Sequence, residues 1–134
     1  MDVAEKIKIF LAEDTFAVVG ASADRSKYGN KVLRCYLMNG RVAIPVNPKE
    51  KVIEGFAAVP SVEELPDAVK SISVITPPHI TDKVVAAAVA KGIKNIWMQP
   101  GAESASAVQT CIENGINVIA DGSCILVVLG YREH

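Results

Sequence analysis

TFAVVGASADRSKYGN, residues 15–30, decides the fold. Thr15 to Gly20 is a short β-branched and apolar run with no polar face, the pattern of a strand buried on both sides of a parallel sheet. Gly20 ends it, a loop of small and polar residues follows, and a helix then begins. Val32, Leu33, Tyr36 and Leu37 recur at helical spacing, and Gly40 stands where a left-handed cap belongs. The unit repeats downstream. Arg41 to Val46 (RVAIPV) reads as a second strand, although Pro45 would remove a ladder donor from a central one. Asn47 to Gly55 reads as a charged turn, and Ser61 with Glu64 as a capping box for a short helix stopped by Pro66. Ser71 to Thr76 is a third strand. Ile80, Val84, Val85, Ala88 and Val89 mark a helix closed by Gly92, and Asn95 to Met98 a fourth strand. Ala105, Val108 and Ile112 mark a helix closed by Gly115, before a fifth strand at Ile116 to Ala120.

This alternation predicts an α/β fold: a single Rossmann-like doubly wound domain with a mainly parallel five-stranded sheet, strand order 3-2-1-4-5, and helices on both faces. The tail CILVVLG reads as an extra C-terminal strand or a buried extended segment. Residues 1–12 form an N-terminal docking helix, started by Asp2 with Glu5 and apolar along Val3, Ile7, Phe10 and Leu11.

The 134 residues suffice for one core and are too few for two ordinary domains, so residues 1–134 are read as one unit. Half the residues are hydrophobic and 22% charged, which excludes a disordered chain. A net charge of -1 gives no support for nucleic-acid binding. Neither a membrane span nor a signal peptide is present, and a cytoplasmic location is expected. Cys35, Cys111 and Cys124 are odd in number and lie far apart, without a CxxC pair or a nearby histidine. Neither a disulfide framework nor a metal site is expected.

Open α/β sheets bind ligands at the carboxyl ends of their strands. After the first strand, Gly20, Ala21 and Ser22 let the backbone approach a phosphate, and Arg25 and Lys27 add positive charge. The chain then runs through Ser26, Tyr28 and Asn30 into a helix whose N-terminus offers unpaired N–H groups. The string is neither GxGxxG nor GxxxxGK[ST], so it specifies a looser phosphate loop. After the second strand, Val46-Asn47-Pro48-Lys49 lacks the acid that would hold an NAD ribose. Lys49 suits a phosphorylated ribose, which NADP and coenzyme A share. After the third, Thr76, Pro77 and Pro78 form an apolar wall for an adenine or a methylene chain. After the fourth, Met98 and Gln99 supply a flexible apolar side chain and an amide. The first loop reads as a phosphate loop over an ordinary surface loop, whereas a lone lysine is most often solvated and two prolines more often just set a turn; four unusual loops on one edge fit a long ligand better than four accidents.

The strings VVGAS, VNP with Lys49, WMQ and a final DxxC-like string resemble those of the small stand-alone coenzyme A-binding proteins. Their fold is that of the nucleotide-binding domain of the succinyl-CoA synthetase alpha subunit, and the resemblance covers residues 12–125. It implies that CoA lies across the carboxyl edge. Gly20, Ser22 and the loop through Lys27, Tyr28 and Asn30 would hold the pyrophosphate. Val46, Pro48 and Lys49 would meet the adenosine and its 3'-phosphate; Thr76, Pro77 and Pro78 would cover the adenine side; Met98 and Gln99 would lie toward the pantetheine arm. Many relatives carry an arginine before the final cysteine, whereas this chain reads Asp121-Gly122-Ser123-Cys124.

The synthetases work through a phosphorylated histidine supplied outside this domain. Here His134 is the last residue and His79 begins a helix after two prolines, as a capping or solvated group. No Ser-His-Asp or Cys-His set can be assembled. Cys124 lies near the expected edge, where it reads as a small hydrophobe or as a partner for the CoA thiol. Cys35 and Cys111 read as packing residues, and Asp24 as a loop cap. The expectation is a non-catalytic carrier, sensor or regulatory module for coenzyme A or an acyl-CoA, as a homodimer or with an unidentified protein partner. The alternatives are an NADP-dependent oxidoreductase and the nucleotide-binding subunit of a multi-chain acyl-CoA ligase.

Overall fold

A computed structural model describes residues 1–133. In chain order the elements are α1 (Val3–Leu11), β1 (Thr15–Val19), α2 (Tyr28–Met38), β2 (Val42–Val46), β3 (Val52–Ile53) and β4 (Phe56–Ala57). There follow a 3-10 turn (Val62–Glu64), β5 (Ser71–Val74), α3 (Pro78–Lys91), β6 (Asn95–Met98), α4 (Ala105–Glu113), β7 (Asn117–Ile119) and α5 (Ile125–Val128). Five strands form one parallel sheet in the order β2-β1-β5-β6-β7, and β3 and β4 form a separate antiparallel hairpin.

Alternation along β1 sends Phe16 and Val18 to one face and Ala17 and Val19 to the other, which is why the strand shows no polar side. On the first face Phe16 and Val18 pack with Phe10 of α1, Val32, Leu33 and Tyr36 of α2, Trp97, and Ile125 of α5. On the second, Ala17 and Val19 pack with Ile72, Val74, Ile96 and Met98, beneath Val62, Val85 and Ala88, and Cys111. Phe10 meets Trp97 edge to face at 5.3 Å, and the Tyr36 and Ser73 hydroxyls hydrogen-bond at 2.6 Å between α2 and β5.

The docking helix seals the amino edge of the sheet. Asp2 caps it by accepting the Glu5 N–H at 2.8 Å. Its carbonyls accept from the strand starts: Phe10 O from Ser71, Lys6 O from Asn117 and Leu11 O from Arg41. Asn95 links Ser71 and Asn117. Polar groups at this end are thus committed to α1, which leaves the carboxyl ends as the open edge.

The strand order corrects the expected 3-2-1-4-5. In the order observed, the third parallel strand, β5, adds on the far side of β1 instead of beyond β2, and β2 stays at the border. Pro45 gives the physical reason. Its carbonyl accepts from Val59 N on the outer side of β2, so its missing N–H also falls on that side, where only the isolated Val46–Val59 bridge is made. In the expected order a ladder bond would be lost there. The connection from β2 to β5 carries the β3–β4 hairpin and a 3-10 turn but no α-helix, and its Val62, Leu65 and Val69 pack on the face opposite α2.

Three local readings change as well. Residues 124–130 form neither a strand nor an extended segment: α5 turns there, with Val128 N donating to Cys124 O. Ser61 makes no side-chain cap, so the capping box does not form. The charged turn at 47–55 contains a hairpin arm whose two-residue loop, Glu54 (φ 53°) and Gly55 (φ 81°), has the positive dihedrals of a type I' turn.

Two glycines set how β1 enters α2. Gly20 has φ 96°, and a Cβ there would lie 2.1 Å from the Ile75 carbonyl oxygen. A Cβ on Gly29, in the first turn of α2, would lie 2.1 Å from Gly20 O. In an open helix Gly to Ala stabilises by about 1 kcal/mol. Here the backbone must move, so Gly29→Ala is expected to destabilise by about 2 kcal/mol or more in urea denaturation. Gly115→Ala, with φ 69° and no neighbour within 4 Å, should lose only the left-handed backbone cost of about 1–2 kcal/mol. An unchanged or raised midpoint for Gly29→Ala would refute the close-approach argument.

Candidate functional site

The connections from β1 and β5 leave toward opposite faces, so a crevice opens at their carboxyl ends. A cavity of about 260 Å³ lies there, lined by Val19, Gly20, Val46, Pro48, Pro60, Ser61, Val62, Glu63, Thr76, Ile80, Lys83, Val84 and Ala87. Its wall is mainly aliphatic. A neighbouring cavity of about 270 Å³ shares Thr76 and adds Ile75, Pro77, Pro100, Gly101 and Ala102. Four sequence-selected residues, Gly20, Val46, Pro48 and Thr76, therefore line one cavity, and Pro77 the next.

Several polar residues of the loops hold backbone in place. Asp24 Oδ1 accepts from Ser26 N and Ser26 Oγ, which holds its carboxyl below the usual carboxylate range. Asn30 is fully buried: its Nδ2 donates to Ser22 O at 2.8 Å and to Glu54 Oε2 at 3.1 Å, while its Oδ1 accepts from Arg34. Arg25 pairs with Glu54, and Arg34 also donates to the Arg25 carbonyl. Asn47 joins two loops, donating to Ala21 O at 2.9 Å and accepting from the Lys49 and Glu50 amides. The Lys49 side chain is exposed and forms no ion pair among the described residues. Ala21 is buried in the first-face core, and Lys27 occupies the cap position of α2 with an exposed side chain.

The fourth-loop residues depart from expectation. Met98 is fully buried in the second-face core, because alternation in β6 directs it there with Ile96. Gln99 is also fully buried. Its Oε1 accepts from Tyr28 Oη at 3.1 Å and from Ile125 N at 2.9 Å, leaving Nε2 without a partner among the described residues. Tyr28 Oη also lies 2.7 Å from Cys124 Sγ. Burial and the Cys124 contact push the Tyr28 hydroxyl upward, so it stays protonated at neutral pH. Pro78 and His79 begin α3 as exposed residues, Pro78 lines neither edge cavity, and His134 lies outside the described residues.

Sequence reading missed the far wall of the first cavity. Ile80, Lys83, Val84 and Ala87 repeat at i, i+3, i+4 and i+7, a signal legible as a helix face but not as a ligand wall. It missed Gly29 and Glu54 too, since a contact between a hairpin turn and the start of α2 leaves no local pattern. A larger cavity of about 370 Å³, lined by Arg25, Arg34, Leu37, Met38, Glu54 and Arg132, shares no lining residue with the two crevice cavities. Arg25 and Arg34 are already engaged there by Glu54, Asn30 and the Arg25 carbonyl.

Residues 14–130 match the family described as CoA binding domain. A conserved hypothetical protein from Pyrococcus furiosus is 39% identical and superposes with a TM-score of 0.81, over 85% of this chain and 97% of that one. The dinucleotide-forming acetyl-coenzyme A synthetase 1 of Ca. Korarchaeum cryptofilum is 25% identical with a TM-score of 0.72, over 81% of this chain and 26% of its own. The ADP-forming acetate–CoA ligase I of Archaeoglobus fulgidus is 33% identical over 69 residues, 52% of this chain. The match spans only 10% of that ligase's length.

Glu54 couples the hairpin to the glycine loop. The Asn30 hydrogen bond first, then Arg25, holds its carboxyl below the ordinary value. A carboxyl lowered in the folded state stabilises the fold above its unfolded pKa, and that contribution is lost as pH falls through the folded value. Glu54→Gln is expected to lower stability at pH 7 by about 1 kcal/mol. The gap from wild type should close as the pH drops below about 4. A gap independent of pH in denaturant titrations would contradict this role.

Proposed function

The chain belongs to the family of CoA binding domains, and we propose that it holds coenzyme A or an acyl-CoA across the carboxyl edge as a binding module, without catalysing a reaction. The observation that carries the reading is the aliphatic cavity at the β1–β5 crevice, with Gly20 of the glycine loop and Pro48 in its wall and the exposed Lys49 next to Pro48 in the chain. Such a cavity takes a flat apolar base. The small residues of the loop admit a diphosphate, and Lys49 is the cation for a ribose phosphate. The residues present fit CoA: Gly20 lies in the wall of the first cavity without a side chain to fill it, and a wall with apolar members continues past Thr76 and Pro77 into the second cavity.

Adenine would rest among Val46, Pro48, Val62 and Ile80, with Glu63 and Lys83 at the same wall. The Asp24, Ser26 and Lys27 amides donate within the loop, so the Ser22, Ala23, Arg25 and Tyr28 N–H groups would meet the diphosphate. When bound, the ligand supplies a thiol or thioester; the chain supplies the orientation. The binding reading is supported by what the loop residues Asp24, Asn30, Asn47 and Gln99 do, since each is engaged in holding a loop in place. The large ligases that share this domain favour carriage, sensing or regulation beside such an enzyme, or service as its separate nucleotide-binding chain.

Calorimetric titration with CoA, dephospho-CoA, NADP and NAD tests the ligand. CoA is expected to bind most tightly, and Lys49→Ala should weaken CoA by up to about fivefold, the equivalent of about 1 kcal/mol for an exposed pair. Dephospho-CoA should be nearly unaffected. Equal losses for both ligands would remove the ribose-phosphate assignment, and binding of NADP alone would replace the CoA reading with the oxidoreductase one.

A further inference from the structure

The third cavity contains in its wall a charge that the protein leaves without a close counter-ion. Its volume of about 370 Å³ falls at the lower end of the range for small-ligand pockets. Arg34, on α2, lines it with a side chain only 11% exposed. The guanidinium is fixed by neutral acceptors: Nε donates to Asn30 Oδ1 at 2.6 Å and Nη2 to the Arg25 carbonyl at 2.8 Å, while the Tyr131 ring lies 5.5 Å away. Among the described residues its one carboxylate within 4.0 Å is Glu133, at 3.8 Å, which is beyond hydrogen-bond reach and on a side chain 59% exposed. Arg34 Nη1 has no protein partner among those residues. A nearly buried cation, held by neutral groups and bordering a cavity, calls for an anion, because a charge taken out of water needs a hydrogen-bonded counter-charge. In the same wall Arg25 pairs with Glu54, Arg132 adds a further guanidinium, and Leu37 with the partly exposed Met38 supplies an apolar surface.

We propose that this cavity binds an organic monocarboxylate with an apolar body, either a free acid or the carboxyl-terminal residue of a protein chain, at a site separate from the crevice. The inference does not depend on the CoA reading, since the cavity shares no lining residue with the crevice cavities. Arg34 and Arg132 donate to the carboxylate, whose plane suits the planar fork of a guanidinium. Arg34 is the anchor, because its side chain is already held in place and loses little freedom when the ligand arrives. Leu37 and Met38 take the aliphatic body. Glu54 in the wall and Glu133 beside Arg34 repel a second negative charge, so a phosphate dianion or a dicarboxylate fits the cavity less well.

The test is a heteronuclear NMR titration of the isotope-labelled chain at constant ionic strength with N-acetyl-alanyl-leucine, its carboxamide, hexanoate and inorganic phosphate. The peptide acid is expected to shift the Leu37, Met38 and Arg132 amides saturably, with a Kd on the order of 1 mM, and to leave Thr76 in the crevice unmoved. The carboxamide and phosphate should each bind at least about tenfold more weakly, the equivalent of one charge-assisted hydrogen bond. Arg34→Lys, which keeps the charge and loses the fork, should weaken the acid by about tenfold. Met38→Asp tests the same site at a partly exposed position that the fold tolerates, and should weaken the acid by a similar factor. Hexanoate binding as tightly as the peptide acid assigns the site to free acids; weaker binding assigns it to a protein carboxyl terminus. Acid and carboxamide binding alike, phosphate binding as tightly as the acid, or an unchanged affinity in Met38→Asp overturns the proposal. So does displacement of the peptide acid by saturating CoA, which would merge this cavity with the nucleotide site and leave CoA binding itself intact.

Discussion

Gly20 lies between two backbones, and the architecture of the edge depends on that contact. Its missing Cβ is what allows the Ile75 carbonyl to stand beside it on one side, while the missing Cβ of Gly29 lets the start of α2 close over Gly20 O. Any side chain at either glycine would push β1 away from β5 or lift α2 from the sheet. Since β1 lies between β2 and β5 in the sheet order, displacement there would open the crevice and disturb both faces of the core. The chain uses close backbone approach where a tighter dinucleotide motif would use a third glycine.

Around that contact, the polar side chains divide by edge. At the amino end, Ser71, Asn95 and Asn117 are bonded to one another and to α1. At the carboxyl end, Asn30 and Asn47 hold loops in register, and Glu54 holds the hairpin against the glycine loop. The strained φ of Glu54 is consistent with a residue kept for its carboxylate, because asparagine or glycine would suit a type I' turn better. Most buried polar groups are therefore explained by structure, which makes the unpartnered Gln99 Nε2 stand out.

The same division bears on the CoA reading proposed for this member of the family of CoA binding domains. A ligand with a base, a diphosphate and a long thiol arm needs an aliphatic slot, a backbone-lined turn and an extended edge. On the proposed reading the crevice, the glycine loop and the row of strand ends from β1 to β7 would supply them in that sequence. The glycine loop and Lys49 read as ligand-facing in the sequence because they combine small residues, charge and a strand end; the structure puts Gly20 in the cavity wall and leaves Lys49 exposed. Asn30 and Asn47 were legible as important, but not as scaffold, since an amide in a loop reads the same whether it meets a phosphate or a carbonyl. Met98 was misplaced because a residue at a strand end can belong to either the edge or the core.

The sequence by itself determined the alternation of strands and helices, the α/β class, the docking helix with its Asp2 cap and the turns at Gly40, Gly92 and Gly115, because periodicity and left-handed glycines act within a few residues. Only the tertiary structure decided the position of β5 beside β1, the coil of residues 124–130 into α5, the α3 wall of the cavity and the meeting of Tyr28, Gln99 and Cys124. Each joins residues far apart in the chain, and no local spacing encodes such a contact. Pro45 stands between the two cases: its missing N–H already counted against a central strand, yet the expected order still set that strand between two others, and only the folded chain shows β2 at the border with Val62, Leu65 and Val69 buried on the face opposite α2.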